Sequence, residues 1–251
     1  MATKHDQIAG SLVSDIITGR YRVGERLPSE RDLSERFTAH RGAAREAMKK
    51  LEQLGLADVK PGGARVRDRS EASLDIIGHL LREGELPDPE LVDQILLVIS
   101  GLITIAARQL VQTQSLPGDH RVLTLLQSLY QDDLDRETHS LLRLELMQAL
   151  LTGSQNLPLQ LIAKTLFNQL APSVVPYMHD QTEPDRLAYN QCARELELAL
   201  LQTDPNAVQA ALERFHELNR TTFREAFNRH SQTAGDTTQT LNTKSKGAHL
   251  P

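Results

Sequence analysis

A mostly α chain in two parts is predicted: a small N-terminal domain closed by one β-hairpin, then an all-α helical bundle of about seven helices. Three observations predict it. Apolar residues recur with a helical period along most of the chain. The exception is residues 56–67, where two short runs flank Pro61-Gly62-Gly63. Composition agrees, since 39% of the 251 residues are hydrophobic but only 4% aromatic, with no tryptophan. That balance suits a Leu- and Ala-rich helical protein better than a sheet protein.

The N-terminal elements follow in order. Residues 4–18 place Ile8, Leu12, Ile16 and Ile17 on one helical face. The connector Gly19 to Gly24 carries Arg20 and Arg22, which read as solvated loop charge, with an approach to phosphates as the alternative. Leu27-Pro28-Ser29-Glu30 opens a second helix: Ser29 caps it, and Glu30 and Asp32 put negative charge at the positive end of its dipole. Leu33 and Phe37 share a face, and Thr38-Ala39-His40 is long enough only for a tight turn. From Arg41 to Leu54 helical spacing resumes, with Ala44, Ala47, Met48, Leu51 and Leu54 as the apolar stripe and Arg41, Arg45, Lys49 and Lys50 off it. Gly55 stops this helix in a left-handed conformation. Two strands, Leu56–Lys60 and Ala64–Arg67, then form a hairpin. Paired helices, a tight turn, a basic second helix and a hairpin make a winged helix-turn-helix over residues 1–70.

Beyond residue 70 the helical period predicts segments at 74–81, 89–112, 121–130, 134–151, 157–177, 183–201 and 205–228. Breaks fall at Gly84 to Pro87, Leu116-Pro117-Gly118, Thr152-Gly153-Ser154 and Asp204-Pro205. Residues 71–230 thus read as a helical bundle, and 231–251, polar and without period, as a disordered tail.

Charge divides the same way. The net charge of −5 hides 14 lysines and arginines against 10 acids in residues 1–70, and 14 against 23 in the rest. The basic part is the part with helix-turn-helix grammar. A single cysteine, Cys192, excludes an internal disulfide framework. Without a leader pattern or an apolar run near 18 residues, a soluble cytoplasmic protein with no membrane partner is expected. No nucleophile elbow or phosphate loop is present, so no enzyme and no catalytic residue is expected.

The N-terminal string resembles the GntR family of bacterial regulators, on Leu27 to Arg31, Arg41, Arg45-Glu46-Ala47, Leu51, Gly55-Leu56 and Gly62-Gly63. The resemblance implies a sequence-specific transcription regulator that binds a double-stranded DNA operator as a homodimer. It assigns DNA contacts to Arg31, Arg41 and Arg45, with Gly62 at the tip of a wing that enters the minor groove. An arginine presented to the major groove donates two hydrogen bonds to guanine, so Arg41 is expected on bases and Arg31 and Arg45 on bases or phosphates. Alternatively Arg45 pairs with Glu30 or Glu46. The family's hydroxyl residues around the turn arginine are replaced by His40, Gly42 and Ala43. His40 is expected to supply one phosphate contact in place of a hydroxyl; Gly42 supplies none.

The bundle resembles the sensing domain of the FadR branch of that family, on Leu91 to Leu96, Ser154-Gln155-Asn156 and Phe215-His216-Glu217. This implies that operator affinity is modulated by a small-molecule effector, with a long-chain acyl-CoA as the first candidate. A carboxylate metabolite, or a ligand-blind dimeric DNA-binding protein, are the alternatives. The branch's metal-binding Asp and His positions fall at Arg143, Gln148 and near Ala193, leaving only His216, so no metal and no cofactor is expected. Asp135-x-x-x-His139 is a second register for two ligands, read here as a solvated pair. Positions that touch the thioester in the branch are Leu218 and Thr222 here, which departs from the pattern. The expected ligand pocket lies near Arg108, Tyr177, Phe215 and His216.

Overall fold

A computed structural model of the protein describes residues 3–84, 86–113, 121–131, 134–178 and 185–246, the side chains of 175–178 and 230–246 excepted. The chain divides into two compact units, Met1–Asp88 and Pro89–Pro251.

In the first unit α1 (Lys4–Ile17) begins at Thr3 and α2 (Glu30–Arg36) at Ser29, each with a reciprocal capping box closed by Asp6 and Asp32. Thr38, in the left-handed region at φ 48°, turns the chain into α3 (Arg41–Gln53). Ile8, Leu12, Leu33, Ala44, Ala47 and Leu51 are buried together, so the three apolar faces meet in one core. Strands β1 (Ala57–Lys60) and β2 (Gly63–Val66) pair antiparallel from Ala57↔Val66 to Lys60↔Gly63. Pro61 and Gly62 form the turn, and the φ of 108° at Gly62 is one that glycine supplies without strain.

The stretch just after the connector, Glu25 to Leu27, pairs with the hairpin, which was not expected. Leu27 donates its N–H to the Ala64 carbonyl at 2.9 Å, and Val66 donates to the Glu25 carbonyl at 3.0 Å. Residues near Arg26 therefore cover the outer edge of the hairpin, whose backbone groups need partners.

The boundary expected at residue 70 is corrected to 88. Two 3₁₀ turns (Arg69–Glu71 and Leu74–Ile76) and the short α4 (Ile77–Leu80) belong to the head. Ser73 donates its N–H to the Leu54 carbonyl, and Ile76, Ala72 and Leu80 pack into the head core. These three residues find cover there, although Leu74 stays exposed, and a local reading does not reveal it.

That leaves six helices in the second unit among the described residues, rather than about seven: α5 (Pro89–Gln112), α6 (Arg121–Leu129), α7 (Arg136–Gly153), α8 (Leu157–Met178), α9 (Arg186–Leu201) and α10 (Pro205–Lys246). The expected break at 116–118 lies outside the described residues. Helix α5 packs against α7, α8 and α10, and α9 against α6 and α10. Ile99, Ile103, Leu110, Leu126, Leu150, Leu166 and Leu212 fill the interior.

Two further expectations are corrected. Residues 231–246, expected as a disordered tail, continue α10 to Lys246, because each residue added to a formed helix gains a hydrogen bond and no proline intervenes. Helix α5 is long and apolar enough to cross a membrane, with mean hydropathy 1.8 over its most apolar window, although no such run was expected. Its Val92, Ile95, Ile99 and Ile103 nonetheless face the interior of the bundle.

Candidate functional site

The residues expected to meet DNA lie on α2, α3 and the β1–β2 turn. Arg41, the first residue of α3, is exposed and makes no hydrogen bond or ion pair among the described residues. Its guanidinium is uncommitted. Arg45, one turn later, is engaged: Nε donates to Glu30 Oε1 at 3.1 Å and Nη2 to Oε2 at 3.2 Å, a two-pronged pair that also lifts the arginine's pKa. Of the two acids weighed for Arg45, the structure selects Glu30. Arg31 is held by Glu35 on the same helix, Nε to Oε1 at 2.9 Å.

His40 has a part that its sequence position concealed. It is the N-cap of α3, and its Nδ1 accepts the Ala43 N–H at 3.1 Å. A ring nitrogen that accepts carries no proton, which makes Nε2 the donor. Gly42 belongs to the same arrangement. A Cβ at Gly42 would lie 3.0 Å from His40 Nδ1 and 3.2 Å from Cε1, so the ring fits over the helix start because residue 42 has no side chain. Two of the three departures from the family pattern, His40 and Gly42, thus meet at one helix start, where the ring caps the helix beside a residue without a side chain.

At the wing, Gly62 is exposed with open space around it. Arg26 Nη2 donates to the Gly62 carbonyl, and its guanidinium lies against Gly63, where a Cβ would stand 2.9 Å from Nε. Arg65 Nη1 donates to the Gly24 carbonyl at 2.8 Å. These braces were missed because partners 41 and 36 residues apart give no periodic signal. Arg20, for its part, pairs at 2.9 Å with Asp15, which is buried.

Residues 4–66 match the family described as bacterial regulatory proteins of the gntR family. Over these residues the head is similar to the DNA-binding domain of that family. Among curated relatives, the HTH-type transcriptional regulator Mce2R of Mycobacterium tuberculosis is 43% identical over 84 residues, 32% of this chain and 35% of that one. The Uxu operon regulator of Haemophilus influenzae is 32% identical over 140 residues, 52% of this chain and 51% of that one. The chain thus spans between a third and a half of the length of these two relatives. A solved structure of Lar, which controls expression of the Listeria monocytogenes agr system, superimposes with TM-score 0.54 over 90% of this chain and 98% of its own, at 17% identity. That likeness is one of fold.

Outside the head, three of the four residues expected around a ligand, Arg108, Phe215 and His216, are described, and none lines a described cavity. Arg108 Nη1 donates to Gln209 at 2.9 Å, and Phe215 packs edge-on to Tyr189 with ring centroids 5.5 Å apart. His216 is buried, and burial pushes its pKa down to about 4. The Tyr177 side chain lies outside the described residues. The described cavities are lined by other residues; the one at α5 and α10, of about 410 Å³, is bordered by Asp93, Phe223 and Arg224.

Of the pair Asp135 and His139, Asp135 is exposed but His139 is buried, which corrects the expectation of a solvated pair for the histidine. Asp135 caps α7, accepting the Thr138 N–H at 2.8 Å, while His139 is only 1% exposed. Four residues on a helix put two side chains on one face, but here the first is spent on the helix end and the second is turned inward. No group of three His, Cys, Asp or Glu side chains suited to a metal occurs among the described residues.

Proposed function

We propose that the protein is a cytoplasmic transcription regulator that binds a palindromic DNA operator as a homodimer, with operator affinity modulated by a small metabolite taken up by the bundle. The observation that carries the reading is the uncommitted Arg41 at the start of the exposed recognition helix, above a wing that ends in Gly62. Arg31, His40 through Nε2, and Arg45 are assigned supporting contacts to bases or phosphates. Arg45 reaches them by exchanging Glu30 for a phosphate or guanine.

Dimerisation is supported by α5. Leu97, Val98 and Ile105 are about half exposed or more, and with Gly101 they form one stripe along the helix. A second copy of the chain covers that stripe in this reading, and sets the distance between two heads to match operator half-sites. Ligand binding favours one placement of the heads over another and so changes affinity. The resemblance to the FadR branch makes a long-chain acyl-CoA the first effector to test; Arg108, Phe215 and His216 are the residues assigned to it, with Tyr177.

Fluorescence anisotropy on the protein's own upstream DNA, at stated salt, tests this. Specific binding is expected for the unmodified protein, and its loss on replacing both Arg41 and Arg45 with Ala. Retained sequence preference in the double variant would remove the assigned surface. Release by a long-chain acyl-CoA, but not by free CoA or EDTA, selects that effector; release by none of them sends the effector class elsewhere.

A further inference from the structure

Cations on and beside the wing hairpin fall into two kinds. Lys60 is paired with Asp58 and Arg67 with Glu71, so a neighbouring carboxylate offsets each charge. Arg26 and Arg65 differ. They stand directly opposite each other across the outer edge of the hairpin, and both are exposed. Among the described residues neither meets a carboxylate in a hydrogen bond or ion pair; the bonds they make go to backbone carbonyls. Glu25, next to Arg26 in the chain, instead accepts the Arg22 N–H at 2.8 Å. Like charges held opposite each other on one face of a sheet repel. An arginine pair without a counter-charge suits a polyanion.

The two guanidiniums also fix the wing. Arg26 Nη2 donates to the Gly62 carbonyl and Arg65 Nη1 to the Gly24 carbonyl at 2.8 Å, so each ties the hairpin to the segment beside it. Arg26 fits there because residue 63 is a glycine: a Cβ would stand 2.9 Å from Nε and 3.1 Å from Nη2. The turn Pro61-Gly62-Gly63 carries no cation and little bulk, and a Cβ at Gly62 would meet nothing within 4 Å. A tip this thin suits the minor groove of B-DNA, which is only about 6 Å wide. The cation at that tip is Arg26, which comes from 36 residues earlier in the chain.

We propose that Arg26 is the positioning and specificity residue of the wing: it holds the tip by the Gly62 carbonyl and presents its other N–H groups to the minor groove, so that the protein favours operators flanked by A·T base pairs. Runs of A·T narrow that groove and strengthen its negative potential, which draws in arginine. Adenine N3 and thymine O2 accept hydrogen bonds there, whereas guanine places an amino donor in the path of a side chain that has only donors. The Gly62 carbonyl occupies Nη2, and Nε and Nη1 are left for the bases. Arg65, on the same face, meets the adjoining phosphates. This inference rests on the operator-binding reading above and adds to it base pairs that the recognition helix does not touch.

Selection of sites from random duplexes by the full chain, then fluorescence anisotropy on the recovered site at one stated salt, tests it. Enrichment of A·T pairs on both sides of a core motif is expected, and exchanging them for G·C should weaken binding roughly fivefold or more. Inosine·C pairs keep the major-groove face of G·C but lack the minor-groove amino group, so they should restore most of the affinity. In Arg26→Ala, affinity for the A·T-flanked site should fall and the difference between flanks should largely vanish. Arg26→Lys keeps the charge without the planar fork, and should recover affinity more than discrimination. Should Arg26→Ala fail to fold, Arg26→Gln, which retains a donor but no charge, gives the same reading. A purely structural role would weaken both flanks equally, so discrimination that persists in these variants overturns the proposal. So does a core motif without flank preference, or inosine·C that binds no better than G·C, and either leaves the operator reading intact. Recovery of no motif at all removes that reading and the proposal with it.

Discussion

His40 and Gly42 look in the sequence like two lost hydroxyl contacts, yet in the structure they are one helix start, with an imidazole accepting the Ala43 N–H over a residue that has no Cβ. An N-cap of this kind contributes on the order of 1 kcal/mol. His40→Ala is expected to lower head stability by about that amount, and His40→Ser, which also caps, to restore most of it; denaturant midpoints at constant m-value are the check. If His40→Ser is no more stable than His40→Ala, the cap is not what His40 provides. Gly55 is a second residue whose role is conformational. Its φ is 71°, and a Cβ would stand 2.5 Å from the Glu71 carbonyl oxygen. Left-handed backbone alone costs a substituted residue about 1–2 kcal/mol, so Gly55→Ala should destabilise by at least that much. The arginines separate at this scale as well. Among the described residues Arg41 has no partner to give up, whereas Arg45 must leave Glu30, so Arg41→Ala is expected to lower discrimination between operator and scrambled DNA more than Arg45→Ala does. Anisotropy on the two duplexes reads the difference directly.

Among the elements, α5 shows how far a periodic pattern can be read and where it stops. Its ends, Pro89 and Gln112, agree with the predicted bounds because proline opens the helix and the apolar period runs unbroken. The pattern does not tell which apolar residues face inward. Ile95, Ile99 and Ile103 are buried, whereas Leu97, Val98 and Ile105 are exposed. On the dimer reading, Val98→Glu with Ile105→Glu should convert dimer to monomer in analytical ultracentrifugation, and cut operator affinity without touching the head. A dimer that survives both substitutions would place the interface elsewhere. The hairpin was legible for a different reason: Pro61-Gly62-Gly63 has local turn chemistry that fixes the reversal whatever surrounds it. Its third edge, from Gly24 to Leu27, was not legible. That edge is made by backbone atoms, which carry no residue-type signal.

For the molecule as a whole, two buried histidines tie stability to pH. His139 and His216 are both neutral in the fold, each with a pKa lowered to about 4 from an ordinary 6.5. The unfolded chain therefore binds more protons than the folded one between those values. Stability is full above about 6.5 and falls as pH drops toward 4. Unfolding midpoints should decline between pH 7.5 and 5, and a His139→Phe, His216→Leu chain should decline less. A slope equal to that of the unsubstituted protein would assign the effect to other groups.

Taken by itself, the sequence determined what depends on neighbours within a few residues. The helical periods, the Ser29 cap, the Gly55 stop and the Pro61-Gly62 turn are set by local sterics and hydrogen bonding, and they suffice for a winged head followed by helices. The tertiary structure decided what depends on residues far apart in the chain. The boundary lies at 88 because Ile76 finds its cover in the head core, and Asp135 parted from His139 because one caps a helix that the other helps to bury. Arg143 illustrates the reason most plainly: in the sequence it is one more charge on an amphipathic helix. Only the packing of α7 against Tyr189 and Asn219, 46 and 76 residues further on, turns it into a buried cation. Burial is a property of the assembled core, and the free energy of a charge depends on burial more than on its neighbours in the chain.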